Sequence, residues 1–187
     1  MSERKKTATD AEKAARSADR KSNAGTTPDP WEACTRLEHG GDRSFAWSVR
    51  EQVLDAPPED RERIEGRLLD ALRRAGLTDA GRAFVCQMLA LVAGPRSVPV
   101  LAALLKDPKS AEDARYALQP VTGPEADAAL RDALGSLSGP AKAGLIGTIA
   151  LRGDKTVRAV LAGIQANPSE APVVRDAAAR ALDHLKA

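Results

Sequence analysis

From Trp31 onward, apolar residues fall at helical spacing: Leu101, Leu104 and Leu105; Leu130, Leu134 and Leu137; Val157, Val160, Leu161 and Ile164. Side chains three and four apart share one face of an α-helix, so each set predicts a helix with a buried stripe. The stripes are broken by Pro57-Pro58, Gly76, Gly94-Pro95, Thr122-Gly123-Pro124 and Gly153-Asp154. These breaks predict a short helix from Pro30 to about Glu38, with Asp29 as N-cap and His39-Gly40-Gly41 as its end. Four helical hairpins follow, pairing 44–55 with 59–75, 79–93 with 97–107, 111–118 with 125–137, and 140–151 with 155–166. A last helix over 172–186 stands alone as a cap.

The blocks repeat. Arg50, Arg82, Arg115 and Arg175 each follow a turn, with Gly144 in the missing slot, at strides of 32, 33, 29 and 31 residues. Gly94, Gly123 and Gly153 recur at 29 and 30, where a left-handed residue is expected at a helix end. Leu101, Leu130 and Leu161 recur at 29 and 31. A period of this size marks stacked helical hairpins, because one hairpin cannot bury both of its apolar faces alone. Trp31, Phe45 and Trp47 carry the large apolar area at the N-terminal end and are expected to cover the first hairpin.

Composition supports helices packed through small residues: aromatic content is 3% and alanine and leucine dominate. The net charge of +2 is uneven. Residues 1–30 hold seven Lys/Arg and five Asp/Glu, which leaves 21 of each for the rest of the chain. Residues 1–30 are therefore expected to be a disordered basic tail, since they have no large apolar residue after Met1 with which to offset ordering entropy. No stretch approaches the ~20 apolar residues of a membrane span, and no secretory leader is evident, so a cytoplasmic location without membrane association is expected.

Candidate chemistry is sparse. Cys34 and Cys86 lack metal-ligand spacing, and Cys86 lies in an apolar run where an inert buried thiol is expected. His39 and His184 have no nucleophile or carboxylate in a relay pattern. No catalytic residue, cofactor or metal site is expected. Regularly spaced guanidiniums could bind phosphates or carboxylates, but Asp79, Asp107 and Asn167 sit where they could tie neighbouring repeats together, and that bonding role is favoured. A neutral folded region argues against nucleic acid, which demands a concentrated basic stripe.

The stretches Ser97-Val-Pro-Val-Leu-Ala-Ala-Leu-Leu-Lys-Asp-Pro108, Asp113-Ala-Arg-Tyr-Ala-Leu118, Ala128-Ala-Leu-Arg-Asp-Ala-Leu134 and Leu145 to Asp154 resemble the short HEAT-like repeats named after phycobilisome lyases. They are similar to HEAT-repeat regions of planctomycete-type bacterial proteins. The resemblance spans about Ser44 to Lys186 and departs from the pattern at Ala143-Gly144 and at the insertion Pro57-Pro58-Glu59-Asp60. It implies an all-α, right-handed α-solenoid of about four hairpins, with units 44–75, 78–107, 109–137 and 140–167, a cap over 172–187, and a single domain over 31–187. It also implies a non-catalytic protein-interaction or scaffold module that binds another protein and is monomeric in isolation. An accessory factor of a modifying enzyme, bilin-lyase-like, is the alternative, and a nucleic-acid binder comes third. The candidate partner-binding residues are Arg82, Arg115, Tyr116, Lys142, Gly144 and Arg152.

Overall fold

The computed structural model describes residues 29–186, so the tail expected over 1–30 lies almost wholly outside the described residues. Among the described residues the chain is all-helical. Helices α1 (Pro30–Ala33), α2 (Ser44–Leu54), α3 (Arg61–Leu72), α4 (Asp79–Val92) and α5 (Val98–Leu105) form the first half. Helices α6 (Ala111–Leu118), α7 (Pro124–Asp132), α8 (Gly139–Leu151), α9 (Arg158–Ala166) and α10 (Pro172–His184) complete it.

Local chemistry explains most of the boundaries. Asp29 caps α1 by accepting from Trp31 N, with Pro30 in the first turn. Thr78, rather than Asp79, caps α4 through Gly81 N. Five of the ten helices, α1, α5, α7, α8 and α10, carry Pro at the first or second position after the cap, where its missing N–H costs nothing; α5 is also reached through Pro95.

Several ends are tighter than the apolar pattern implies. The chain runs as 3-10 turns over Cys34–Arg36, Ala133–Gly135 and Lys155–Val157, so α1 and α7 stop early and α9 starts late. Gly123 and Gly153 do have positive φ, at 114° and 73°. Gly94 does not: at φ −116° and ψ −168° it is extended. Its N–H is taken by the Glu65 carboxylate at 2.8 Å, which draws the chain out of the helix rather than curling it back.

The even-numbered helices form a row in which α2 contacts α4, α4 contacts α6, α6 contacts α8 and α8 contacts α10. Each of α3, α5, α7 and α9 packs on the even helix that follows it, and α5 also meets α7. The core between them is leucine and alanine. Leu101, Leu130 and Leu161 are each fully buried, and so are Ala114, Ala117, Ala126 and Ala178. Small side chains let these helices approach closely. Six polar residues are buried with them: Thr35, Glu65, Ser97, Ser110, Lys142 and Thr148. All six have hydrogen-bond partners, as buried polar groups require.

The N-terminal end is closed differently. Trp31 is buried, donates from Nε1 to Gln52 Oε1 at 3.0 Å, and lies under the Arg67 guanidinium at 4.1 Å. Phe45 is partly buried against the core, but Trp47 is 66% exposed, contrary to the covering role expected for it. The inward stripe of α2 is Ala46, Val49 and Val53, which turns Trp47 outward.

The turn at Cys34–Arg36 docks on the start of α4 through Thr78 N and Oγ1, which donate to Thr35 O and Leu37 O. There the backbones nearly touch: a Cβ at Gly81 would sit 2.4 Å from Thr35 O. Gly81→Ala should therefore destabilise the fold by roughly 2–3 kcal/mol, since backbone cannot yield as a flexible side chain would. Urea unfolding measures this, and an unchanged midpoint would show that the turn is not docked on α4.

Candidate functional site

The row of even helices is tied by its own cations. Arg82 on α4 donates from Nε to Asp113 Oδ2 at 2.9 Å and from Nη2 to Lys109 O at 2.8 Å, both in the next unit. Its Nη1 takes Asp79 on its own helix at 2.7 Å. Arg115 on α6 reaches Thr148 Oγ1 on α8 at 2.6 Å and holds Glu112 with Nε and Nη2. Lys142 on α8 pairs with Glu170 in the turn before α10. Lys142 thus takes up the link to the next unit that the arginine series lacks at Gly144.

Gly144 is not bare backbone. A Cβ there would lie 3.4 Å from Arg115 Nε and from Glu112 Oε2, so the slot is the bed of the Arg115–Glu112 pair. A longer side chain would push that pair aside.

A second set of ties secures the turns. Arg152, just past α8, donates from Nε to Asp127 Oδ1 at 2.6 Å. Its Nη1 faces three carbonyls at the end of α6: Leu118 at 3.3 Å, Gln119 at 2.8 Å and Val121 at 2.7 Å. Leu118 is the last residue of α6, and Gln119 and Val121 follow it in the turn. Arg131 on α7 donates to Asp154, which also accepts from Thr156 N and Oγ1. In the equivalent turn between α4 and α5 Glu65 accepts from Gly94 N and from Ser97 Oγ, capping the entry to α5.

Of the six candidate partner-binding residues, Arg82, Arg115, Lys142 and Arg152 are therefore engaged internally, with side chains only 15%, 17%, 11% and 12% exposed. Gly144 lies beneath one of them. Tyr116 alone is open, at 51% exposure.

Two open clefts lie along the even helices. A cleft of about 270 Å³ between α2 and α4 is lined by Arg43, Trp47, Arg50 and Gln87, with Ala46, Phe84 and Met88 beneath. A smaller one of about 160 Å³ between α4 and α6 is lined by Ala83, Cys86, Gln87, Glu112, Asp113 and Tyr116. Gln87 borders both, so Trp47 and Tyr116 flank one continuous strip. The aromatic and cationic stripe on α2 was readable at helical spacing in Arg43, Trp47, Arg50 and Leu54; Glu65 and Glu170 left no such signal.

Neither thiol is a nucleophile near neutral pH. Burial first, and the nearby Asp29 charge second, push Cys34 up to about 12. Cys86 is also pushed up to about 12, chiefly by burial. Hydrogen bonds from Arg115 hold the Glu112 carboxyl below its ordinary value. Burial is the largest single influence on Asp154 and raises it, but the bonds from Thr156 and Arg131 together outweigh this and leave the group lowered.

Two predictions follow from the ties. Arg152→Ala should lower stability by about 2–3 kcal/mol, because it strips a charged donor from a carboxylate and from helix-end carbonyls. Tyr116→Ala should move it by less than about 0.5 kcal/mol. Equal effects in chemical unfolding would mean that Arg152 is not a structural tie. A carboxyl whose folded value is depressed stabilises above its unfolded value, about 3.9 for aspartate, and loses that contribution as pH falls through the folded value. Asp154→Asn should hence flatten the loss of stability between about pH 5 and pH 3 relative to the parent; parallel curves would show that Asp154 does not contribute.

No family model, no curated protein and no solved structure matches this chain, so its surface is interpreted from geometry and chemistry alone.

Proposed function

We propose that the chain is a short right-handed α-solenoid of HEAT-like repeats that acts as a non-catalytic protein-interaction module. The recurring Arg, Gly and Leu strides and the serial contacts of the even helices support the repeat reading. The interaction reading rests on one observation. The seam cations are spent inside the molecule, whereas Trp47 and Tyr116 are left exposed along clefts that share Gln87. Tyrosine, tryptophan and arginine are the residues that most often anchor protein interfaces.

The same observation weighs against nucleic acid. Arg82, Arg115, Arg131, Lys142 and Arg152 each face a carboxylate, so these five cations are already paired and do not form a free stripe for phosphates.

Capture experiments from native lysate test the reading. The parent chain should retain a partner protein at near-equal stoichiometry, and the Trp47→Ala/Tyr116→Ala double variant should lose it while melting at the parent's temperature. Retention by neither, or equal retention by both, would remove the support for an interaction surface on this strip.

A further inference from the structure

In the arginine series Arg82 and Arg115 are paired along the row, Arg175 is half-buried with its Nε unpaired, and Arg50 alone is exposed, which identifies a site. Arg82 finds Asp113 at an offset of 31 residues, and Arg115 finds Thr148 at an offset of 33. In the register set by Arg82, the rung after Arg50, the positions matching Asp113 and Thr148 are Ala80 and Cys86, neither of which carries a carboxylate or hydroxyl. Arg50 is consequently exposed and has no side-chain hydrogen bond among the described residues. Arg43 shares that condition and stands on the other side of Trp47, four residues before it.

These three side chains border the cleft of about 270 Å³, whose floor is Ala46, Phe84 and Met88. Small-molecule sites generally start near 300 Å³ and enclose their ligand; this cleft is smaller and open, and suits one large side chain. Two guanidiniums at its rim call for carboxylates beside that side chain. We propose, building on the interaction reading above, that the Arg43–Trp47–Arg50 cleft docks an acidic linear segment of a partner protein through one large apolar side chain. The apolar residue enters over Phe84 and Met88 against the Trp47 ring. Flanking Asp or Glu residues pair with Arg43 and Arg50. Gln87 on the far wall offers an amide to the segment's backbone.

The chain's own N-terminal residues do not fit this cleft. Residues 1–28 hold seven Lys/Arg against four Asp/Glu and no large apolar residue after Met1, so they lack both the charge and the anchor.

The test uses the full chain and a fluorescein-labelled decapeptide of Asp and Glu with one central Phe, followed by anisotropy. Saturable binding should appear below about 1 mM. It should weaken about tenfold or more in Trp47→Ala, in Arg43→Glu/Arg50→Glu, with Ser in place of the peptide's Phe, and on raising salt from about 0.05 M to about 0.5 M. Absence of saturable binding, or binding that Trp47→Ala leaves unchanged, overturns the proposal. Displacement of the peptide by oligo-dT with higher affinity would reassign the cleft to nucleic acid, and a concentration-dependent dimer abolished by Trp47→Ala would reassign it to a second copy; either overturns it. If peptide binding fails while lysate capture of a partner persists in Arg43→Glu/Arg50→Glu, this inference alone falls; if capture fails for the parent as well, the interaction reading falls with it.

Discussion

Helix ends buried by the next unit must have their backbone groups and charges satisfied across the unit boundary, and the rest of this molecule follows from how that is done. A core dominated by leucine and alanine supplies few polar partners, Ser97 and Thr148 among them. The donors and acceptors come instead from long side chains one unit away: Arg152 on the carbonyls closing α6, Arg82 on Lys109 O, Glu65 on Gly94 N and Ser97 Oγ. The groups that are buried or partly so, Ser97 Oγ, Gly94 N and Val121 O, are costly to leave unpaired, whereas the bonds to Lys109 O and Gln119 O are exposed. Their geometry therefore sets the relative placement of neighbouring helices more sharply than the interchangeable apolar contacts do.

Because the ties are internal, charge that looks available in the sequence is not available on the surface. Arg115 illustrates this: it lies next to Tyr116 in the chain, yet its guanidinium turns to Thr148 and Glu112 while the Tyr116 ring stays in solvent. Adjacent residues on one helix point some 100° apart, so a seam residue and a surface residue readily alternate. Exposed aromatics scattered singly are ordinary. Trp47 is distinguished by its neighbours: an apolar floor, two cations without partners, and a strip leading on to Tyr116.

Much of this was legible before the structure. The Pro and Gly breaks located the helices because those residues act locally on the backbone, and α6 begins and ends at the predicted residues. The Leu series located the core because its spacing reflects burial, which all three members show. What escaped the sequence was tertiary. Gly94 belongs to the same periodic series as Gly123 and Gly153, but a carboxylate 29 residues earlier sets its conformation. The link to the last unit slips two positions, from Gly144 to Lys142, because its acceptor is Glu170 in a turn rather than a residue on the next helix. Trp47 was assigned inward for its size, whereas Ala46, Val49 and Val53 form the stripe that decides how α2 is turned.

The exposed end of the arginine series lies beside the docked N-terminal turn. To dock the Cys34–Arg36 turn on α4, the chain requires the smallest residue at position 81, since a Cβ would strike Thr35 O at 2.4 Å. In the register of the arginine series Asp113 lies two before Arg115 and Thr148 four after Gly144, and each receives an arginine from the preceding even helix. The matching positions on α4 are Ala80 and Cys86, so Arg50 meets no carboxylate or hydroxyl that would draw it into the seam. The guanidinium is left in solvent beside Trp47, on the one part of the row where α2 and α4 part widely enough to form the larger cleft. At that end Gly81 admits the turn, while Ala80 and Cys86 offer Arg50 no acceptor, so the cation remains unspent.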